Sequence, residues 1–361
     1  MTTLSGIHRR RSAWSSTADT SSPPAPQRWA APSPRRRSAS PRTGPDTGTG
    51  ASGREDVTFP LGPFTKYAGN PILRPDPSHD WESAFLYNPA AVVVGDRVAL
   101  LYRAQNAAKV SSIGLAYSRD GIHFSRRSQP VLTPTEPYET QGVEDARVIR
   151  VGRTYYMTYT GYDGTSALLC LATSHDLVHW RKHGTLFPDF RDPLAGGKPW
   201  NKSGAILDVP IRGWYWMWFG DSNHYWARSR DLLHWEHGAV DDPAARPVFA
   251  WESSLIEPGP PPILTSDDKI LLVYNGRAAG GDGYREGQYS GGQLIIDPAD
   301  PKRAIARLER PFIVPDSSDE QNGQVNNVVF SEGLVHFRRR WFLYFGEADS
   351  VLGAAIWDPR L

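Results

Sequence analysis

Ser118-Arg119-Asp120-Gly121, Ser174-His175-Asp176-Leu177 and Ser229-Arg230-Asp231-Leu232 are three copies of one turn, 56 and 55 residues apart. A longer rhythm surrounds them. Apolar runs open on polar or turn-forming residues at Asn88-Pro89-Ala90, Asp145-Ala146-Arg147, Lys202-Ser203-Gly204, Pro260-Pro261-Pro262 and Asn327-Val328-Val329, with spacings of 57, 57, 58 and 67 residues. A β-branched or aromatic run follows each opening, as in Tyr155–Tyr159 and Trp341–Phe345. Asp297-Pro298 and Asp358-Pro359 stand where fourth and fifth copies of the turn belong. A repeat near 50 residues with several short strands per unit is the mark of a propeller. The expected fold is therefore all-β, a five-bladed β-propeller, with no amphipathic helix of useful length.

Composition bounds the rest. The chain has 361 residues, 39% hydrophobic and 11% aromatic, with 13 Trp, enough to fill interfaces between blades. Residues 1–56 hold nine Arg against four acidic residues, so a basic segment precedes a slightly acidic body. That segment is rich in Ser, Pro, Thr and Gly, cannot bury enough surface to offset its ordering entropy, and is expected to be a disordered tail. The catalytic domain is read as 57–361. Arg9-Arg10-Arg11 is followed by no apolar stretch of signal-peptide length, so the expected localisation is cytoplasmic. No run of 18 apolar residues exists, and a near-neutral body gives no support to nucleic-acid binding. The single cysteine, Cys170, sits in an apolar run and reads as a small buried hydrophobe.

In a propeller the inner strands line a central channel, and ligands bind where strand ends meet its mouth. The openings therefore converge in space, bringing Asn88, Glu144, Asp145, Arg147, Lys202 and Asn327 together. The second strands end on Arg103, Asp221, Asn275, Glu347 and Asp349. Aromatic residues, among them Trp81, Tyr87, Tyr138, Trp200, Trp226 and Tyr289, are expected around this cup. Carboxylates and amides bind hydroxyls, and flat aromatic faces stack on sugar rings, so the expected ligand is a carbohydrate. Glycosidic cleavage needs a proton donor and, across the ring, a base or nucleophile. Asp145 is the donor candidate, although the same residues also fit a turn cap paired to Arg147. The Ser-x-Asp turns and the histidines beside them read as outer-strand structure. The Trp-Glu-Ser triplets at 81–83 and 251–253 read as packing, and no metal-ligand spacing emerges.

From Gly69 to the C-terminus the chain resembles glycoside hydrolase family 130, the mannoside phosphorylases and β-mannosidases. The motifs that carry the resemblance are Gly69-Asn70-Pro71-Ile72-Leu73, Asn88-Pro89-Ala90, Leu101-Tyr102-Arg103-Ala104 and Gly142-Val143-Glu144-Asp145-Ala146-Arg147. They continue, in order, with Asn201-Lys202-Ser203-Gly204, Gly259-Pro260-Pro261-Pro262-Ile263, Asn327-Val328-Val329-Phe330 and Phe345-Gly346-Glu347-Ala348-Asp349. The resemblance implies a five-bladed propeller that cleaves β-mannosides with inversion. It makes Asp145 the general acid, acting through a sugar hydroxyl, and Asn88, Arg103 and Asp349 sugar-binding residues. Ala146 stands where the family usually has proline.

Two departures bear on the nucleophile. Family phosphorylases carry Tyr-His-Gly where this chain has Tyr274-Asn275-Gly276, and His-Arg-Pro where it has Phe219-Gly220-Asp221. A carboxylate opposes phosphate and can activate water. The expected activity is thus an inverting β-mannosidase, possessing Asp145 as acid and Asp221 or Glu257 as base. The substrate-binding set is Asn88, Arg103, Glu144, Arg147, Lys202, Asn275, Tyr289 and Asp349. Phosphorolysis is the alternative, with Arg103, Arg147, Lys202 and Tyr289 left to hold phosphate. A propeller that merely binds glycans is the second alternative. No cofactor or metal is expected, with inorganic phosphate a co-substrate only for a phosphorylase.

Overall fold

A computed structural model describes residues 58–360, so the segment read as a disordered tail lies outside the described residues. Blade one consists of Phe85–Val94, Arg97–Gln105, Ser111–Ser118 and Ser125–Arg126, each antiparallel to the next. Blade two follows with Gly142–Val151, Thr154–Tyr162, Ala167–Ser174 and Arg181–Thr185. Blade three is shorter: Ala205–Ile206, Tyr215–Phe219, Tyr225–Ser229 and Trp235–His237. Blade four has a broken inner strand, Leu255–Pro258 and Ile263–Leu264, then Ile270–Arg277, Tyr289–Asp297 and Asp300–Arg307. Blade five is Val329–Phe337, Arg340–Glu347 and Val351–Trp357. Its outermost strand, Thr65–Lys66, comes from the start of the described chain and pairs Thr65 with Ile356 and Lys66 with Ala355. That pairing closes the ring, which leaves the propeller without an open first or last blade.

Middle strands are apolar on both faces because both faces of a blade pack on neighbours. Leu101, Ile113 and Leu115 of blade one meet Val148, Met157 and Tyr159 of blade two. Trp216 and Trp218 of blade three meet Leu272 and Tyr274 of blade four. Cys170 lies in the first of these interfaces, and burial pushes its thiol up to about 12. No helix among the described residues is long and apolar enough to cross a membrane.

Three devices recur among the blades. In the Ser-x-Asp turns, Ser118 Oγ accepts from the Gly121 amide at 2.9 Å, and Asp120 Oδ1 accepts from the Ile122 and His123 amides. The turns at 174–179 and 229–234 repeat these bonds, so their aspartates and histidines are structural, as expected. A second device is a buried glutamate ahead of the inner strand. Glu82, Glu139 and Glu252 accept from Tyr102, Tyr159 and Tyr274, and pair with Arg126, Lys182 and Arg307 on the outermost strands. Both Trp-Glu-Ser triplets belong to this device, so their glutamates brace loops.

The third device positions the site. On the inner strand the register breaks between Tyr87 and Pro89, between Glu144 and Arg147, and between Ser331 and Gly333. Such bulges re-aim a side chain and recur beside active sites. Asn88 and Asp145 sit at the first two breaks with φ of 48° and 51°, and Ser203, just ahead of blade three's inner strand, has φ of 63°, a left-handed conformation that costs a non-glycine residue on the order of 1–3 kcal/mol. In blade five the expected opening at Asn327 is displaced. The inner strand there starts at Val329 and the bulge residue is Glu332, because a longer preceding connection carries the short helix Ser318–Gln321.

Candidate active site

Asp145 stands at the centre of a charged network. Its Oδ1 accepts from Asn88 Nδ2 at 2.8 Å and from Arg103 Nη1 at 3.1 Å, while Lys202 Nζ lies 3.5 Å from Oδ2. Arg103 is on blade one's middle strand and reaches Glu144 Oε1 at 2.6 Å and Ser111 Oγ at 2.9 Å. Its guanidinium lies over the Tyr87 ring, 4.5 Å from the centroid. Burial opposes ionisation of Asp145, but Arg103 and Lys202 outweigh it and hold the carboxyl well below the usual range. Glu144 is displaced the other way, upward, by its own burial. The neighbouring pair is thereby split into an ionised and a more readily protonated carboxyl.

The segment Trp200–Ser203 supplies the opposite wall. Trp200–Asn201 pairs in parallel with blade two, and Asn201 fixes it there by accepting from Leu169 N and donating to Phe187 O. Trp200 Nε1 donates to Asp221 Oδ2 at 2.7 Å. Lys202 Nζ lies 3.1 Å from Glu257 Oε1, and Ser203 Oγ donates to that same oxygen. Asp221 is offered to the cup by Gly220, whose φ is 106°. A Cβ at Gly220 would meet the Asn223 carbonyl oxygen at 2.6 Å, so the turn requires glycine. Burial raises Asp221 to about 6. Burial likewise raises Asp349 to about 7, with Arg103 opposing and Asp145 reinforcing the shift. Asp349 and Asp145 thus interact within one hollow. Tyr289 also faces it, its hydroxyl pushed up by burial and by Glu257.

Two expected ligand-binding residues have other work. Arg147 is buried, donating to the carbonyls of Asp145, Pro258 and Gly259 at 3.1, 2.6 and 2.8 Å. It pins blade four's mouth to blade two. Asn275 is fully buried, accepting from Ser331 N at 2.7 Å and donating to Ser331 O at 3.0 Å, a stitch between blades four and five. Of the expected aromatic rim, Trp81 stacks on Tyr102 and Trp226 packs by Trp216, both within blade interfaces. Asn327 accepts from Arg285, and Glu347 is buried away from the cup.

Glu332 was not anticipated. It is fully buried, 3.6 Å from Arg147 Nη2, and burial raises its carboxyl well above the usual range. Counting back 13 to 15 residues from the middle-strand aromatic finds the bulge in blades one, two and five, Tyr102 to Asn88, Tyr159 to Asp145 and Phe345 to Glu332, and the break in blade four's inner strand, Tyr274 to Gly259. Among the described residues, Asp76, His79 and Glu82 cluster closely enough to suggest a cation site. Glu82 there already serves Tyr102 and Arg126, and His79 Nδ1 lies 2.7 Å from it, so the group reads as loop bracing.

Three inner strands presenting Asn88, Asp145 and a lysine-bridged acid to one hollow agree with a family profile described as beta-1,4-mannooligosaccharide phosphorylase, which matches residues 66–360. The chain belongs to glycoside hydrolase family 130. A beta-1,2-mannobiose phosphorylase of Thermoanaerobacter sp. is 34% identical over 309 residues, 81% of this chain and 96% of that one. A 1,2-beta-oligomannan phosphorylase of the same organism is 32% identical, covering 82% and 97%. A solved structure is 34% identical with a TM-score of 0.78, covering 85% and 97%; it is described under mannoside phosphorylases whose family contains glycoside hydrolases that target beta-1,2 mannosidic linkages in Candida mannan. Family 130 membership makes this chain an enzyme acting on mannosides, built as a five-bladed propeller.

Proposed function

We propose that the chain cleaves β-1,2-mannosidic linkages by single displacement with inversion, using water. The linkage rests on the two Thermoanaerobacter relatives and the solved structure. The carrying observation for water is the charge of the cup. Glu144, Asp145, Asp221, Glu257, Glu332 and Asp349 surround Arg103, Arg147 and Lys202. Arg103 and Lys202 each meet two carboxylates, and Arg147 donates to three carbonyls. None of these three cations is left over for a phosphate, which needs converging donors.

In this reading Asn88, Arg103 and Asp349 hold the sugar whose bond breaks. Asp145, ionised in the free cup, takes a proton from solvent as the sugar binds and passes it to a sugar hydroxyl, whose own proton goes to the leaving oxygen. A carboxylate across the cup removes a proton from water as its oxygen bonds to the anomeric carbon. No cofactor enters the scheme.

Phosphorolysis is the second reading, and the names of the curated relatives favour it over hydrolysis. Incubation with β-1,2-mannobiose, with and without inorganic phosphate, separates the two. Hydrolysis releases mannose at equal rates in both. Mannose 1-phosphate, with no turnover in phosphate-free buffer, overturns the choice of water. Binding without turnover in either would make the propeller a glycan receptor.

A further inference from the structure

Two carboxylates, Asp221 and Glu257, compete for the role of base, and the geometry separates them. Lys202 Nζ lies 3.5 Å from Asp145 Oδ2 and 3.1 Å from Glu257 Oε1, so those oxygens are no farther apart than the two lengths combined. That is at the short end of the roughly 6.5–9.5 Å that an inverting pair needs to admit a nucleophile. Glu257 is also buried, with Oε1 held by both Lys202 and Ser203. Asp221 is half-exposed and takes a single side-chain hydrogen bond, from Trp200.

Beyond Asp221 the wall opens. A cavity of about 440 Å³ is lined by Asp192, Lys198, Trp200, Asp221, Ser254 and Leu255. Water needs only about 30 Å³ of liquid volume, so this antechamber has room for several. Trp200 belongs to a different element from Asp221. It is set by its pairing with Ala167 and by an edge-on contact with Tyr162, the ring centroids 6.4 Å apart at 81°. Its indole N–H therefore arrives from a separately anchored element and holds one oxygen of the carboxylate. The other oxygen is left for a water molecule.

We propose that Trp200 is a positioning residue for Asp221, orienting its carboxylate to activate water drawn from this cavity. The inference rests on the hydrolytic reading and deepens it. A donor to the charged form also favours ionisation, so the indole works with Lys202 against the burial that raises Asp221.

The test compares wild type with Trp200→Phe, Asp221→Asn and the double variant on β-1,2-mannobiose in phosphate-free buffer, across pH. Wild-type turnover there secures the hydrolytic reading separately. Trp200→Phe keeps a ring beside Tyr162 and removes the donor. The expected outcome is a fall in kcat of about tenfold or more, KM within about twofold, and an acid limb of kcat/KM moved upward. The double variant is expected to be no slower than Asp221→Asn alone, because both changes remove one function. Additive losses, an unmoved acid limb or an effect confined to KM would overturn the proposal. Trp200→Leu, which also lacks a donor, serves if the phenylalanine variant does not accumulate.

Discussion

Asp145 shows how much one residue depends on its neighbours. Asn88, Arg103 and Lys202 all favour its anion, so it cannot be a simple acid in the empty cup. Asp145→Asn should lower kcat by roughly a hundred- to ten-thousand-fold while calorimetry still detects mannoside binding, and unchanged turnover would remove it from the mechanism. Because its folded pKa is depressed, its contribution to stability is present above its unfolded pKa, near 3.9, and is lost as pH falls. In the hydrolytic reading Asp221 contributes to the activity profile. With Asp349 raised to about 7 and Asp221 to about 6, kcat/KM should fall in two steps as pH drops through 7 and 6, and Asp221→Asn should remove the lower step. Asp145 was legible in the sequence because its polar strand opening repeats in other blades. Arg147 and Asn275 were misread because composition does not reveal which donors the backbone already occupies. Glu332 was missed because blade five's extra residues displace the repeat by which it would have been found.

At the scale of the strand and its loop, the buried glutamate device is complete in blades one, two and four and altered in five. Tyr274→Phe leaves Glu252 without its hydroxyl donor and should cost about 1–3 kcal/mol in denaturant unfolding, whereas a loss below a few tenths would refute the device. In blade five Phe345 occupies the tyrosine position, and Glu320 Oε1 has no partner. The Glu347 carboxyl lies there instead, with both oxygens unpartnered, close enough to Gly353 that an added Cβ would meet it at 2.2 Å. Burial, reinforced by Glu320, raises Glu347 from 4.5 to about 8. A raised folded pKa means stability is greatest at low pH and lost as pH climbs from about 4.5 to 8, at up to about 1.4 kcal/mol per unit. Glu347→Gln should escape that loss, its advantage in Tm growing up to about pH 8 and then levelling. A constant difference across pH would show that Glu347 does not titrate in this window. The Trp-Glu-Ser triplets marked this loop in blades one and four only as packing, and the exchange of Tyr for Phe in blade five is visible only when Glu347 is seen beside it.

Across the whole molecule, the five-blade architecture was readable because every blade must bury two faces and turn at the same length. The closing strand was not, since Thr65–Lys66 is too short to carry a periodic signal. Lys66 ties that strand to blade five through Glu320 at 2.7 Å and Asp316 at 2.6 Å. Lys66→Met strands a buried carboxylate and should destabilise the fold by about 3 kcal/mol, a shift in urea midpoint that a mere surface pair would not give. Ring closure matters to chemistry because it brings blade five's Asp349 against blades one and two. Attack from the Asp221 wall on a sugar held at Asp145 requires inversion. The decisive measurement is the proton NMR spectrum of the first sugar released from a β-1,2-mannoside in phosphate-free buffer, read before mutarotation. Water delivered across the cup gives α-mannose. Initial β-mannose, or no free mannose at all, would contradict it.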